Sequence, residues 1–436
     1  MTIAWRARLV LCGVSIGLGG CSERAGPALD AAPAAKAPPP IPAPAPAPAP
    51  DSAAARSFNA DRFSRRPRPA EMTELGRQLF FDRSLSASGQ MACATCHDPR
   101  FAYGPSNDRP TQLGGPDGKD AGVRAVPSLR YLQSVPAFTE HFLDEATDGS
   151  NDVGPTGGLG WDGRVDTKHD QAKLPLLSPF EMANADIASV AAKVARGPLA
   201  ARFQAVFGDD VFADPTRGST AVLMCLEVFQ QSPQDFYPYT SRFDAYLRRQ
   251  IKLTPSEERG LALYNDPRKG NCASCHPSGG FHGAFPQFTD FGFNALGVPR
   301  NRRIPANADL RFHDLGLCGP ERRDLADHKE YCGFFRVPSL RNAAVRRVFF
   351  HNGAFKDLAR VLAFYVERDT NPARWYPKAG GRVQVFDDLP PEYRQNVTND
   401  PPFGGKPGGR PALSRSQIRD VVAFLNTLTD ADLEKK

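Results

Sequence analysis

Cys93-Ala94-Thr95-Cys96-His97 is the stretch that decides how this chain is read, and it returns as Cys272-Ala273-Ser274-Cys275-His276. Two thiols separated by two residues stand on one short turn, from which both can add across the vinyl groups of a haem. The adjoining imidazole is then aimed at the iron. A zinc knuckle or a redox dithiol needs only the sulfurs. Here a histidine follows both times, and after His97 the next histidine is His141 and the next cysteine Cys225, too far on for a second zinc-ligand pair. Two copies predict two covalently bound haems, one on Cys93, Cys96 and His97, the other on Cys272, Cys275 and His276.

The neighbourhoods of the two motifs repeat as well. Leu75-Gly76-Arg77-Gln78-Leu79-Phe80-Phe81-Asp82 precedes the first and Arg259-Gly260-Leu261-Ala262-Leu263-Tyr264-Asn265-Asp266 the second, with Asp six residues after Gly in both. Val126-Pro127-Ser128-Leu129-Arg130 follows the first and Val337-Pro338-Ser339-Leu340-Arg341 the second. Matching landmarks in one order indicate an internal duplication. The expected fold is mainly α, with two cytochrome c-type domains, long loops and little strand, an N-terminal domain at 57–250 and a C-terminal one at 251–436. Thr254-Pro255-Ser256-Glu257 and Ser414-Arg415-Ser416-Gln417 are capping signals for two helices, and Ile187 to Val206 and Ser219 to Gln230 read as two more.

At 436 residues, 41% hydrophobic and 23% charged, the chain suits a globular body of two domains plus a tail. The net charge of +6 is spread out, without a Lys/Arg run interleaved with aromatics, so nucleic acid is not an expected partner. Residues 1–20 carry two arginines and a short apolar run ending in small residues, the pattern of a secretory signal peptide. Leu18-Gly19-Gly20-Cys21 resembles a bacterial lipobox, which implies acylation of Cys21 and a lipid anchor in the outer membrane, facing the periplasm. From 21 to 56 follows an Ala/Pro-rich tether, extended because its prolines cannot donate backbone hydrogen bonds. In that compartment Cys318 and Cys332 are the natural disulfide pair, and Cys225, inside an apolar run, is expected to be a buried free thiol.

A haem with two protein ligands only moves electrons, whereas chemistry needs an open iron face with polar groups over it. Trp161-Asp162-Gly163-Arg164, then Gln171-Ala172, Pro175 and Glu181-Met182, closely resemble the bacterial di-haem cytochrome c peroxidase family that includes MauG. The resemblance runs from about Leu75 to Leu428. It implies that Glu181 is the acid-base of a hydrogen peroxide site at the first haem, that Gln171 holds peroxide or water, and that Trp161 relays electrons between the haems. It also implies Tyr365 as the second axial ligand of the second haem, counted from Phe350-His351-Asn352-Gly353, with His351 a neighbour of that haem and not a ligand. A phenolate ligand stabilises ferric and higher oxidation states, which tilts the reading toward MauG-like chemistry on a protein partner.

Departures from the family pattern carry expectations too. No histidine lies between His97 and His141 to close the first haem, so its iron is expected to be open at rest. Ala125 replaces an Asn ligand of the family's calcium and Arg346-Arg347-Val348 replaces a Thr-x-Pro, which makes calcium doubtful. His169, His282, His313 and His328 sit in polar or Gly-rich surroundings and are read as surface residues. The expected activity is reduction of hydrogen peroxide to water, fed by a small cytochrome or cupredoxin or by a protein substrate. The rival readings are a non-catalytic di-haem electron carrier and a di-haem oxygenase.

Overall fold

The computed structural model describes residues 63–140, 154–280 and 283–434. The signal segment, Cys21 and its tether, and also His141 and His282, lie outside the described residues. Two helix pairs form the frame. In the first half α1 (Pro69–Phe81) packs on a later helix, Pro215–Phe229. Between them in sequence come α2 (Lys168–Leu177), α3 (Ile187–Arg196) and α4 (Ala200–Phe207), so the partner of α1 is α5. In the second half, beyond α6 (Arg242–Leu247), α7 (Pro255–Asn265) packs on α9 (Arg415–Asn426), and α8 (Leu358–Glu367) lies against α9.

Each pair meets at the glycine that the two halves share. A Cβ on Gly76 would stand 1.9 Å from the carbonyl oxygen of Cys225 on α5, and one on Gly260 would stand 2.0 Å from that of Asp420 on α9. Only a residue without a side chain lets the helix backbones approach this closely. Six residues on, Asp82 and Asp266 end their helices, each carboxylate accepting from the backbone N–H two residues later, Ser84 and Arg268, at 2.8 Å. The repeated Gly-to-Asp spacing is thus a helix crossing followed by a stop.

Apolar side chains follow the same division. Met72, Leu75, Leu79, Val190, Phe203, Phe207, Val222 and Leu226 make one core. Tyr264, Phe288, Phe364, Ile418, Val421, Phe424 and Leu428 belong to another. Fully burying such a side chain contributes about 1.5–3 kcal/mol. Cys225 is buried and unpaired, as expected. Thr254 and Ser414 cap α7 and α9 with complete capping boxes, also as expected.

One expectation fails locally. Ile187 to Val206 is not one helix, because α3 stops at Arg196 and the chain re-enters α4 only at Ala200. Gly197 and Pro198 stand at the break, where proline cannot donate the next helical hydrogen bond. Strand is confined to three antiparallel ribbons of two residues a side among the described residues: β1 (Leu113–Gly114) with β2 (Asp120–Ala121), β3 (Phe293–Asn294) with β4 (Phe335–Arg336), and β5 (Lys378–Ala379) with β6 (Arg382–Val383). Cys318 and Cys332 are joined in a disulfide that closes a loop of the second half. No helix among the described residues is long and apolar enough to cross a membrane.

Buried ion pairs tie the halves together. Arg124 forks onto Asp314 at 2.7 and 2.8 Å and reaches Asp162 at 2.6 Å. Arg130 reaches Asp430 at 2.9 Å near the far end of the chain. Removing one partner of such a buried pair leaves an uncompensated buried charge.

Candidate active site

Both haem motifs fold as one tight turn, with the His97 N–H bonded to the Cys93 carbonyl at 2.9 Å and the His276 N–H to that of Cys272 at 2.8 Å. The two imidazoles are then fixed alike. Nδ1 of His97 meets the carbonyl oxygen of Tyr103 at 2.8 Å, and Nδ1 of His276 meets that of Phe288 at 2.8 Å. With Nδ1–H donating to a carbonyl, Nε2 keeps its lone pair and can serve as a metal ligand. Burial pushes both imidazoles down to about 4, so they are uncharged at neutral pH. Burial also pushes the Cys93 and Cys272 thiols up to about 12, the opposite of the activated thiolate that a redox dithiol requires.

The repeated pentapeptides set the two anchoring carbonyls. Leu129 and Leu340 donate their N–H groups to the same Tyr103 and Phe288 oxygens, each at 3.3 Å. The Ser128 hydroxyl bonds the Ala102 carbonyl at 2.5 Å and the Ser339 hydroxyl the Gln287 carbonyl at 2.7 Å, one residue earlier in each case. Tyr103 and Phe288 themselves adopt left-handed backbone, with φ of 55° and 54°. A bulky residue held there costs on the order of 1–3 kcal/mol and persists because its surroundings over-determine it. The sequence reading missed these two residues. They lie at different distances from their histidines, 97 to 103 and 276 to 288, so no repeat in spacing betrays them.

Around the second motif lies a cavity of about 550 Å³, within the usual range for cofactor sites. Cys272, Cys275 and His276 line it, as do Trp161, His351 and Tyr365. Tyr365 comes from α8, where burial raises its phenol well above the ordinary value and the neighbouring Cys275 and Cys272 add to the shift. His351 stacks flat on Phe335 with ring centroids 3.5 Å apart. A largely apolar cavity lined by two thiols, an imidazole and a phenol suits a haem.

At the first motif the decisive neighbour is Glu181. It stands in the turn after α2, its N–H bonded to the Ser178 carbonyl at 3.0 Å and its own carbonyl receiving the Gly115 N–H at 2.8 Å. Gly114 belongs to β1, and a Cβ there would press on the Glu181 Cα at 2.8 Å, so the ribbon grips the turn through a glycine. Burial raises the Glu181 carboxyl above its ordinary value; the Arg164 guanidinium opposes this and the Glu321 carboxylate adds to it. In turn Glu181 helps to hold the Cys93 and Cys96 thiols up, which places its charge within reach of both. Gln171 is half-buried in the second turn of α2 and makes no side-chain hydrogen bond to Glu181 or the motif among the described residues.

Trp161 belongs to neither half alone. Its Nε1–H donates to the Ala125 carbonyl at 2.7 Å, its own carbonyl accepts from the Arg336 N–H at 2.8 Å, and its ring lines the second cavity. Next to Ala125 the Val126 carbonyl accepts from Arg346 Nη2 at 2.9 Å. Nη1 of that buried guanidinium has no hydrogen-bond partner among the described residues, and its charge is felt at His97. An orphaned buried cation beside the first motif suits a cofactor that carries carboxylates. His169 departs from its expected place on the surface, since it is half-buried on α2 with Nδ1 2.9 Å from the buried carboxylate of Glu227.

Two halves with the same order of landmarks, each with a Cys-x-x-Cys-His turn and an imidazole fixed by a backbone carbonyl, fit the class of di-haem cytochrome c oxidoreductases. The chain belongs to the di-haem cytochrome c peroxidase and MauG family. The family model described as "Di-haem cytochrome c peroxidase" matches residues 70–252. The methylamine utilization protein MauG of Paracoccus denitrificans is 33% identical over 393 residues, 85% of this chain and 91% of that protein. The cytochrome c551 peroxidase of Nitrosomonas europaea is 25% identical over 366 residues, 83% and 81% of the two. The crystal structure of the di-haem peroxidase BthA from Burkholderia thailandensis superposes with a TM-score of 0.74 at 40% identity, covering 84% of this chain and 87% of that one. The protein is a MauG-like di-haem peroxidase.

Proposed function

We propose that the chain reduces hydrogen peroxide at the site of Cys93, Cys96 and His97, and that the site of Cys272, Cys275, His276 and Tyr365 passes it electrons through Trp161. The observation that carries this reading is the carboxyl of Glu181, partly buried, raised by burial and within electrostatic reach of both thiols of the first motif. Haem held through Cys93, Cys96, Cys272 and Cys275 would supply the redox chemistry that cleaves the O–O bond. The remaining work belongs to the chain. Glu181 takes the proton from one peroxide oxygen and returns it to the other, Gln171 orients the peroxide, and His97 and His276 hold their places through the Tyr103 and Phe288 carbonyls. Two electrons and two protons turn one peroxide into two waters.

The electrons come from a small periplasmic cytochrome or cupredoxin, or from a protein substrate that is oxidised in the process. Arg346 supplies positive charge beside Val126, in the neighbourhood where the family's calcium is doubtful here. In this reading the domains are 57–250 and 251–436, residues 1–20 direct export, and acylated Cys21 with the 21–56 tether anchors the enzyme at the periplasmic side of the outer membrane. Cys21→Ala is expected to release the protein from the membrane fraction, and continued sedimentation with membranes would remove the anchor.

Stoichiometric peroxide added to the haem-loaded chain is expected to produce a fast absorbance change. Two low-spin haems with no response to peroxide would leave only an electron carrier. Tyr365→Phe is expected to change the low-spin electron paramagnetic resonance signal of the second haem while sparing the first, and an identical spectrum would remove Tyr365 as a ligand.

A further inference from the structure

Beside the carbonyls that fix the two motif imidazoles runs a band of aromatic rings that the peroxide reading does not use. Tyr103, whose carbonyl fixes His97, stacks on Phe236 with centroids 4.3 Å apart. The Phe236 carbonyl accepts the Tyr131 N–H at 2.8 Å. Tyr131 meets Tyr239 edge-on at 5.1 Å, and the Arg341 guanidinium lies 4.7 Å from both rings. The same guanidinium lies 5.8 Å from Phe288, whose carbonyl fixes His276. Tyr131 is therefore linked to Tyr103 through Phe236 and to Phe288 through Arg341.

Its phenol is equipped for more than packing. Tyr131 is 1% exposed, and its hydroxyl donates to Asp430 Oδ1 at 2.6 Å. Asp430 is wholly buried, and its other oxygen accepts from Arg130 at 2.9 Å and from Asn342 at 2.7 Å. A packing tyrosine needs one acceptor of any kind. This one has a fixed carboxylate on a short hydrogen bond, able to take the phenolic proton in place as an electron leaves the ring. Tyr239 is placed differently, since its oxygen accepts from the Gln133 and Gln287 side-chain amides, both at 2.7 Å.

We propose that Tyr131 is a redox-active residue, a second station for oxidising equivalents that reaches both haem sites by way of Tyr103 and Phe288 and is separate from Trp161. The inference rests on the peroxide reading above, which supplies the oxidant. When no donor is at hand, one electron passes from the Tyr131 ring to the oxidised di-haem centre and the phenolic proton moves to Asp430, leaving a neutral tyrosyl radical. Reduction by an outside donor returns the electron, and the proton moves back. The site thereby stores one equivalent without covalent damage to the core.

The test uses the full haem-loaded chain mixed with peroxide without donor, frozen at intervals and examined by electron paramagnetic resonance, with the absorbance change followed in parallel. A radical signal is expected whose hyperfine splitting collapses when the protein contains ring-deuterated tyrosine. Tyr131→Phe is expected to lose that signal while keeping the absorbance change and Tyr239→Phe to keep both; Asp430→Asn, which retains the ring but not the proton acceptor, should lose most of the signal. An absorbance change with no tyrosyl signal in the native chain, or an undiminished signal in Tyr131→Phe, overturns the proposal and leaves the peroxide reading standing. No absorbance change in the native chain overturns both.

Discussion

Glu181→Gln is expected to slow the reaction of the first haem site with peroxide by about 10²–10⁴-fold, the range for a positioned proton carrier. Glutamine keeps the volume and the hydrogen-bonding reach of the side chain but can neither take nor return a proton. The turn that carries it is held by its backbone, through the Ser178 carbonyl and the Gly115 N–H, so the replacement leaves the frame in place. Stopped-flow mixing checks this, with haem content and resting spectrum required to match the native protein. A loss below about tenfold, which is about 1.4 kcal/mol of barrier, would remove Glu181 as the acid-base.

The pH dependence has a definite sign. Burial raises the Glu181 carboxyl, so the form that accepts the proton from peroxide is present above that raised value and is lost as pH falls through it. The native rate constant should therefore decline on acidification at a pH above the range of an ordinary carboxyl. Arg164 opposes the shift, so Arg164→Gln should move the decline to still higher pH.

The second large effect is on stability. Arg341 and Asp244 form a pair whose side chains are both 0% exposed, with contacts of 2.9 and 3.1 Å. Arg341→Met strands the Asp244 carboxylate in the core and is expected to cost about 3–5 kcal/mol in denaturant unfolding. Removing Asp244 as well, as Leu, should restore part of the loss, since an apolar pair of similar volume tolerates that site better than a lone charge. Arg341 also donates to the Pro286 carbonyl at 2.8 Å, two residues before the carbonyl that fixes His276. The variant should therefore disturb the second haem's spectrum before the first's. A cost below about 1 kcal/mol would show that the pair is dispensable.

Its counterpart in the first half is Arg130. It shares Asp430 and Asp432, and the latter side chain is 52% exposed. Water can solvate part of what is lost there, so Arg130→Met should cost less.

Much of this protein was legible because its chemistry demands particular neighbours in sequence. A motif of two cysteines and the histidine that follows them is confined to one turn, so both candidate haem sites could be read from Cys93–His97 and Cys272–His276. Duplication made the Gly76 and Gly260 helices and the two pentapeptides stand out, and the caps of α7 and α9 follow from local hydrogen bonding. What the glycines and pentapeptides do depended on residues far along the chain. The oxygens that demand glycine belong to Cys225 and Asp420 on other helices, and the carbonyls that orient the histidines belong to Tyr103 and Phe288 in left-handed backbone. Close approach and a bent backbone have no periodic pattern to announce them. Only the tertiary structure set Glu181 near the first pair of thiols, put Trp161 in the wall of the second cavity, and gathered Arg341 and Asp430 around Tyr131. Packing brings such residues together through space, across separations that local sequence chemistry does not encode.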